Sequence, residues 1–510
     1  MKKVCSRNAA VIDLGSHALR LDIYGITGSS QMELLESLSR PVDLGFDVFR
    51  TGSVSPECLS GILDILSDYR KKIREYGIET VLAFATSAIR ESSNKELVLD
   101  RISSAVKLDV EILESPREIK LIYLAMRRSL EKHTDFEKMH GLAVVIGSGS
   151  IFVLCFERGL LRFCEELPLG TARMYDAFGH STLSREYLDE LLESSDIPQR
   201  IRECTDFPAG EKIDLIIIGI AARRMAALLK NKTLPRGDEC VFMKPEAFAG
   251  LLEKLENSTP ADLSRDYRLS PDDGAELLTG SVVISSFMKH FNCSSICCPG
   301  VNTRSAALEY AGKTGKTLFL NDLRSVCCAV GKKYGYDEGH AKETARIALA
   351  IYEKLRRNVT FAPGSDILLE LAALLHDIGR FVDTRSHHLH SHYLIKNMQL
   401  PGLESGERLI AALISRYHRK DEPDLQDQDY ATLSSADRVT VQKLAAILRV
   451  ADSLDCSRQH RFHRFELLRQ GRSLIFRVPD GDFSGERLNL ASKGGMFKHV
   501  FGLDISIEGV

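Results

Sequence analysis

Two side chains that could bind a metal ion, His376 and Asp377, stand next to each other in an otherwise apolar stretch, ILLELAALLHDIGRFV. The stretch has the period and length of a helix, on which neighbouring side chains point about 100° apart, so both can reach one ion. Two polar groups buried among leucines need a compensating partner. The pair therefore favours a metal site. The alternative is a metal-free helical domain in which hydrogen bonds satisfy the core histidines.

A cluster of histidines follows this pair. Its members could supply ligands to a second metal ion, bind phosphate or lie at the surface, and the sequence leaves these alternatives open. The cluster consists of His387, His388, His390, His392 and His418.

Three turns rich in small residues could bind phosphate in the N-terminal half. Asp13–Ser16 and Gly147–Ser150 each follow an apolar run, and their glycines and serines let backbone N–H groups approach an anion. Ala85–Arg90 follows a strand and opens a helix, so that hydroxyls, helix N–H groups and a guanidinium can contact phosphate. The residues predicted to contact phosphate on these grounds are Asp13, Gly15, Ser16, Ser87, Arg90, Gly147, Ser148, Gly149 and Ser150.

The elements that must position these residues change along the chain. Apolar runs and helical patterns alternate from the start, and the pattern begins again at GLAVVIGSGSIFVLCF, which predicts two related α/β halves. From about residue 315 to 460 the apolar residues follow the helix period, which predicts an all-α domain. The last fifty residues alternate again and predict a small α+β element.

Composition restricts the partners. The 510 residues include 67 basic and 70 acidic side chains, and a net charge of -3 argues against specific nucleic-acid binding, so any phosphate site must be local. Ten of the fifteen histidines lie at or beyond His340, which concentrates metal-binding capacity in the helical part. Without a secretory signal or an apolar span of about 20 residues, we expect a cytoplasmic protein with no membrane partner. The scattered cysteines, with no CxxC pair, predict reduced thiols.

The motifs together resemble the exopolyphosphatase / guanosine pentaphosphate phosphohydrolase (Ppx/GppA) family. The resemblance runs through VIDLGSHALRL, LAFATSAIRESSN, EILESPREIKLIYLA, VVIGSGS and LPLGTARMYDAF, and continues at LHDIGRFV, RYHRK and LRVADSLD. It implies two actin-like (hexokinase-type, ribonuclease H-like) α/β domains, an all-α HD domain and a small α+β C-terminal element. The expected boundaries are 1–125, 126–312, 313–460 and 461–510.

The resemblance also implies an activity and its residues. Family members release phosphate from polyphosphate or from guanosine penta/tetraphosphate nucleotides with a divalent cation such as Mg²⁺, and a homodimer is the family expectation. Arg20 joins the first phosphate turn, and Glu118 falls where the family places a catalytic carboxylate that would orient or deprotonate the attacking water.

The helical part resembles the HD metal-dependent phosphohydrolase superfamily. His340 and Asp452 complete its H…HD…D order around His376 and Asp377. This implied ligand set suits Mn²⁺, Fe²⁺, Co²⁺, Ni²⁺ or Zn²⁺, and an ion there would activate water against a phosphate ester or anhydride, with Asp377 as a catalytic residue. Of the histidine cluster, His390 fits the family pattern best, and a surface position stays one of the alternatives for the other members.

Departures from the family pattern fall in the α/β half. Val145 and Phe152 stand where the family has a metal-binding aspartate and a glutamate that acts on the water, and His17 replaces an asparagine. Gly219–Ala222 replaces a Gly-Gly-Thr-like segment. We therefore expect a phosphohydrolase whose actin-like site is eroded and whose HD metal site is intact. The alternatives are a non-catalytic polyphosphate or nucleotide sensor, or an HD-type phosphohydrolase of another nucleotide.

Overall fold

The computed structural model describes most of the chain, namely residues 7–27, 31–178, 185–206, 212–230, 233–310, 316–419, 421–479 and 481–509. These residues form two compact units, 1–319 and 320–510. Among them, no helix is long and apolar enough to cross a membrane.

The first unit contains two β-sheets. The strands of the five-stranded sheet are β1 Arg7–Leu14, β2 Ala18–Thr27, β3 Gln31–Pro41, β4 Thr80–Ala85 and β5 Glu111–Ile112. Those of the six-stranded sheet are β6 His140–Ile146, β7 Ile151–Glu157, β8 Leu160–Leu167, β9 Ile213–Ile218, β10 Cys240–Met243 and β11 Cys293–Pro299.

The two sheets repeat one topology. The first has the order β3-β2-β1-β4-β5, and the second has β8-β7-β6-β9-β11 with β10 added at the edge. In both, the first three strands are antiparallel and the following strands run parallel to the first. Each sheet packs its own apolar core. The paired α/β halves predicted from the restarted pattern are therefore confirmed.

Helices connect and cover these strands. They are α1 Leu44–Thr51, α2 Pro56–Glu75, α3 Ser87–Glu91, α4 Lys95–Val106, α5 Ser115–Glu131, α6 Thr171–Phe178, α7 Arg185–Ser194, α8 Ile197–Cys204, α9 Ile220–Lys230, α10 Pro245–Glu256, α11 Pro260–Tyr267, α12 Pro271–His290 and α13 Thr303–Tyr310. Pro116 lies in the first turn of α5, where a proline costs no hydrogen bond. This helix carries Glu118.

The second unit begins as a set of helices and ends with a small sheet. Its helices are α14 Lys316–Lys333, which starts just before the division, α15 Glu338–Leu355, α16 Ser365–Leu375, α17 His387–Asn397, α18 Ser405–Arg416, α19 Gln428–Ala431, α20 Ser435–Leu454, α21 Ser484–Lys493 and α22 Gly495–Phe501. The sheet has the order β12-β13-β14, formed by Glu466–Gln470, Ser473–Val478 and Asp504–Gly509.

The prediction of one continuous helix through His376 and Asp377 is wrong. Helix α16 ends at Leu375, and a short 3₁₀ turn follows over Ile378–Phe381. Ser391 explains the break, because its hydroxyl donates to the carbonyl of His376 at 2.5 Å and accepts from the N–H of Gly379 at 2.9 Å. The helix end thus finds its hydrogen-bond partners on α17, which brings that helix against His376 and Asp377.

Candidate functional site

A cavity of about 150 Å³ lies in the first unit and gathers the predicted phosphate turns. Of the residues proposed for this half, only Arg90 is outside its lining. The lining includes Asp13, Gly15, Ser16, Arg20, Ser87, Glu118, Gly147, Ser148, Gly149 and Ser150. The roles of these residues in binding or catalysis stay predictions.

The turns of the two halves meet closely at this cavity. The hydroxyl oxygens of Ser16 and Ser87 lie 3.1 Å apart, although the residues belong to different segments of the first sheet. Gly149 lies so close to Ser87 that a β-carbon on Gly149 would be 1.9 Å from the Ser87 hydroxyl oxygen. Glycine is therefore required at this position for the two turns to face one another.

Arg90 does not line the cavity but donates hydrogen bonds to the carboxylates of Glu118 and Glu166. Its guanidinium donates to the Leu113 carbonyl at 2.8 Å, to Glu166 at 3.0 Å and to Glu118 at 3.4 Å. Burial raises the pKa of Glu118 to about 7, against the lowering effect of Arg90. A carboxyl group with this pKa can exchange a proton near neutral pH, as a general base or acid requires.

Sequence reasoning missed Glu166. This residue pairs with Phe152 across strands β7 and β8, so the two side chains lie on the same face of the sheet. A carboxylate is thus present one strand away from the position where the family glutamate is replaced. The alternation of polar and apolar residues in LLRFCEEL was the available signal, but it does not identify the strand that pairs with β7.

Sequence reasoning also missed Arg304, at the start of α13. Its guanidinium donates to Asp13 at 3.1 Å and to Asp22 at 2.6 Å. Burial disfavours the charged form of Arg304, but these two carboxylates outweigh it and raise its pKa above the ordinary value. Asp13 and Asp22 are themselves buried, so Arg304 is the cation that balances them.

Two positions in the lining of the cavity offer no ligand to a Mg²⁺ ion. Val145 and Phe152 are opposite each other on β6 and β7, both are buried and both line the cavity without offering an oxygen. Within the described residues, only the second carboxylate oxygen of Asp13 is buried there without a hydrogen-bond partner. No group of three metal-ligating side chains forms among the described residues of this unit.

The second unit brings the predicted metal ligands together. His340 lies on α15, His376 and Asp377 directly follow α16, and Asp452 lies on α20. Oδ1 of Asp452 is 3.3 Å from Nε2 of His340 and 3.6 Å from Nε2 of His376, and Oδ1 of Asp377 is 3.8 Å from the latter. His340, His376 and Asp377 form one of two groups in the described residues that could hold a metal ion.

Hydrogen bonds aim both imidazoles at this centre. Nδ1 of His340 bonds to Asp455 at 2.8 Å, and Nδ1 of His376 donates to the Ala373 carbonyl at 2.7 Å. Each Nε2 is left to face the carboxylates, and Nε2 of His376 is buried without a hydrogen-bond partner among the described residues. This is the arrangement by which proteins orient histidine ligands, so the residues fit a divalent ion.

Each carboxylate of the centre divides its oxygens between two directions. Oδ1 of Asp377 and of Asp452 faces the histidines, whereas Oδ2 accepts from Arg458 at 2.6 Å and from Lys493 at 2.5 Å, respectively. Burial would raise the pKa of Asp452, but Lys493 and the nearby imidazoles hold it well below its ordinary value. The carboxylates are therefore ionised, as metal ligands must be.

Two members of the histidine cluster join this centre. Asp377, His387 and His418 form the second group that could hold a metal ion. His390, which fits the family pattern best, is not part of it. Of the alternatives left open for the other members, the surface position is excluded, because His387, His388, His392 and His418 are all buried.

The arginine-rich segment after α20 has an apolar side of its own. Phe462 and Phe465 pack against each other and against Phe476, with ring centroids 5.2 to 6.4 Å apart. These aromatic rings therefore pack against one another in a local apolar cluster.

Comparisons with known proteins complete the description. Residues 23–302 match the Ppx/GppA phosphatase family, and residues 324–480 match Ppx/GppA phosphatase, domain III. The chain is 23% identical over 452 residues to the guanosine-5'-triphosphate,3'-diphosphate pyrophosphatase of Vibrio atlanticus (strain LGP32), covering 86% of both chains. It is also 23% identical over 481 residues to the protein of that name in Vibrio parahaemolyticus serotype O3:K6, covering 92% of this chain and 91% of the relative.

Among solved structures, an exopolyphosphatase from Cytophaga hutchinsonii ATCC 33406 is similar. The two share 21% identity with a TM-score of 0.52, over 60% of this chain and 97% of that one. The likeness establishes a shared fold for the matched part.

Proposed function

Because the chain belongs to the Ppx/GppA phosphatase family, a family of phosphoanhydride hydrolases, we propose that it releases phosphate at the metal centre of its second unit. The substrate would be polyphosphate or a guanosine penta/tetraphosphate-type nucleotide. The names of the Vibrio relatives and of the Cytophaga structure support these two substrate classes.

One observation carries the choice of the metal centre. Four ligand side chains converge there, and Nε2 of His376 is buried without a hydrogen-bond partner among the described residues, whereas Val145 and Phe152 offer no oxygen ligand in the cavity of the first unit. Loss of a carboxylate from a phosphoryl-transfer site costs several kcal/mol of charge stabilisation. Val145 and Phe152 represent two such losses.

The residues of the proposed centre have separable tasks. His340, His376, Asp377 and Asp452 would hold a divalent ion such as Mn²⁺, Fe²⁺, Co²⁺, Ni²⁺ or Zn²⁺, which supplies Lewis acidity and lowers the pKa of water. Asp455 and the Ala373 carbonyl fix the imidazoles of His340 and His376. His340, His376 and Asp377 are buried, and Arg458 and Arg380, which are partly exposed beside Asp377, are cations available to an anionic substrate.

The cavity of the first unit would bind phosphate through its turns. Arg20 lines it, and its guanidinium lies about 3 Å from where a β-carbon of Gly15 would be. Arg90 positions Glu118, and the pKa of Glu118, about 7, suits proton transfer near neutral pH. Chemistry there would lack a protein-built metal site, so we expect its contribution to phosphate release to be the smaller one.

Two variants decide between the sites. Asp377→Ala removes a proposed metal ligand, and Glu118→Gln removes the carboxylate of the cavity at nearly constant volume. Phosphate release from polyphosphate and from guanosine pentaphosphate is measured for both full-length proteins in the presence of Mn²⁺ and of Mg²⁺. The proposal requires that Asp377→Ala loses most of the activity while Glu118→Gln keeps most of it. Equal activity of Asp377→Ala and the unmodified protein contradicts the proposal.

A second candidate function follows from the same cavity. Val145 and Phe152 favour a sensor that binds polyphosphate or a guanosine nucleotide without cleaving it. Calorimetric titration with guanosine tetraphosphate and with polyphosphate tests this function. Binding without any phosphate release supports the sensor. Phosphate release only from a different nucleotide supports the other alternative, an HD-type phosphohydrolase of another nucleotide.

A further inference from the structure

One oxygen of Asp13, in the cavity of the first unit, is already bonded to a cation of the chain itself. Nη1 of Arg304 donates to Oδ2 of Asp13 at 3.1 Å, and only 13% of the Arg304 side chain is exposed. A Mg²⁺ ion would bind a carboxylate oxygen at about 2.0 Å and would bring its charge against this guanidinium. Arg304 therefore competes with a divalent ion for the one carboxylate of the first phosphate turn.

Asp22 holds this guanidinium in place. Its Oδ2 accepts a hydrogen bond from Nε of Arg304 at 2.6 Å. The hydroxyls of Tyr24 and Ser37 donate to Oδ2 and Oδ1 of Asp22, at 3.1 Å and 2.6 Å, respectively. Because the Asp22 carboxylate is buried and bonded at both oxygens, it fixes the orientation in which Arg304 reaches the cavity.

Two further arginines line the cavity without a carboxylate of their own. They are Arg20 and Arg223, and within the described part of the chain neither forms an ion pair. Nε of Arg223 donates to the Pro235 carbonyl at 2.8 Å, and this bond does not engage the terminal nitrogens of the guanidinium. Burial lowers the pKa of Arg223, and the positive charge of Arg304 adds to this effect. An anion in the cavity would relieve this crowding of positive charge.

We propose that Arg304 takes the place of a divalent cation in this cavity, so that the cavity binds a terminal phosphate group without a metal ion. Arg20 and Arg223 supply charge-assisted hydrogen bonds, and the turn Gly147–Ser150 supplies backbone N–H groups. The two apolar residues in the lining then do not weaken binding, because no ion has to be held there. The inference rests on the proposed function only in that the cavity binds phosphate.

The test is a calorimetric titration of the full-length protein with tripolyphosphate in excess EDTA. We expect saturable binding to the unmodified protein and binding about tenfold weaker in Arg223→Gln, because a hydrogen bond to a charged group is lost. Arg200→Gln is the matched control and should bind like the unmodified protein, since Arg200 is a half-buried arginine of the same unit that pairs with Glu165 outside the cavity. Binding that appears only when Mg²⁺ replaces EDTA, or equal binding by Arg223→Gln, overturns the inference.

Arg304→Gln tests the exchange of an ion for a guanidinium. In EDTA this variant should bind tripolyphosphate about tenfold more weakly, because two buried carboxylates are left without their cation. Addition of Mg²⁺ should strengthen binding to the variant but not to the unmodified protein. Equal binding by Arg304→Gln in EDTA, or no gain from Mg²⁺, contradicts the exchange.

Hydrogen exchange of the unmodified protein decides the matter even if a variant fails to fold. Tripolyphosphate in EDTA should slow exchange at the turn Gly147–Ser150, and protection confined to the second unit overturns the inference. Absence of binding in EDTA overturns the inference alone, whereas phosphate release from tripolyphosphate in EDTA contradicts the proposed function.

Discussion

Arg304 donates a hydrogen bond to Asp13 at 3.1 Å, so a guanidinium lies on the carboxylate that opens the first phosphate turn. The same group reaches Asp22 at 2.6 Å. The cavity of the first unit thus balances its acidic residues with a side chain of its own, while the second unit presents carboxylates and imidazoles around a common centre.

Replacing Arg304 should destabilise the first unit. Arg304→Gln leaves Asp13 and Asp22 buried without their cation, and breaking a buried pair in this way costs about 3 to 5 kcal/mol. Hydrogen exchange of β1 and β2 under denaturant measures the loss. Arg50→Gln is the control, because Arg50 is half exposed where it pairs with Asp176, and we expect about 1 kcal/mol or less. Equal effects of the two variants would refute the structural role of Arg304.

The ionisation of Glu118 should make the stability of the first unit depend on pH. Its pKa is about 7 in the folded chain and 4.5 is the ordinary value, so the unfolded chain ionises first as pH rises. Relative to Glu118→Gln, the unmodified protein therefore loses stability between about pH 4.5 and pH 7, by on the order of 3 kcal/mol in total.

Hydrogen exchange at pH 5 and pH 8 compares the two proteins. Glu111→Gln, in which an exposed carboxylate is removed from β5, serves as the control and should show no such trend. A constant difference between Glu118→Gln and the unmodified protein at both pH values would contradict the raised pKa.

Removal of the Ser391 hydroxyl should loosen the metal centre. Ser391→Ala deprives the His376 carbonyl and the Gly379 N–H of their partner, at a cost of about 1 to 3 kcal/mol. We expect faster hydrogen exchange around residues 375–381 and weaker Mn²⁺ binding in a calorimetric titration. Thr432→Ala, on the exposed end of α19, should change neither. Unchanged Mn²⁺ affinity in Ser391→Ala would show that this hydroxyl does not position the ligands.

Arg458 should weaken the binding of metal and strengthen the binding of phosphate. Its guanidinium bonds to Oδ2 of Asp377 at 2.6 Å, so Arg458→Gln removes a positive charge that opposes a divalent cation nearby. We predict Mn²⁺ affinity several-fold higher and affinity for inorganic phosphate lower, both by calorimetry. Arg461→Gln, which alters an exposed neighbour bonded to Gln459, is the control. A fall in Mn²⁺ affinity for Arg458→Gln would contradict the prediction.

The sequence predicts much of the two sites because their residues lie in local motifs. The glycine and serine turns follow predicted strands, and His340, His376, Asp377 and Asp452 occur in a recognisable order. Each of these features depends on nearby residues or on the succession of elements, and the shared topology of the two sheets agrees with the repeated pattern.

The missed residues depend on contacts that no local pattern contains. Arg304 reaches Asp13 across 291 positions, and Glu166 reaches Arg90 across 76. The choice of His387 over His390 depends on where α17 begins and which of its faces meets the end of α16, and this is set by Ser391.

Phosphate release should depend on the metal centre of the second unit. The most direct measurement is the rate of phosphate release by chelator-stripped, full-length protein as Mn²⁺ is added back, with Asp377→Ala measured in parallel. We predict that most release is lost without the ion, that recovery saturates as the bound Mn²⁺ does, and that Asp377→Ala recovers little of it. Full activity of the stripped protein, or equal recovery in Asp377→Ala, would contradict the account.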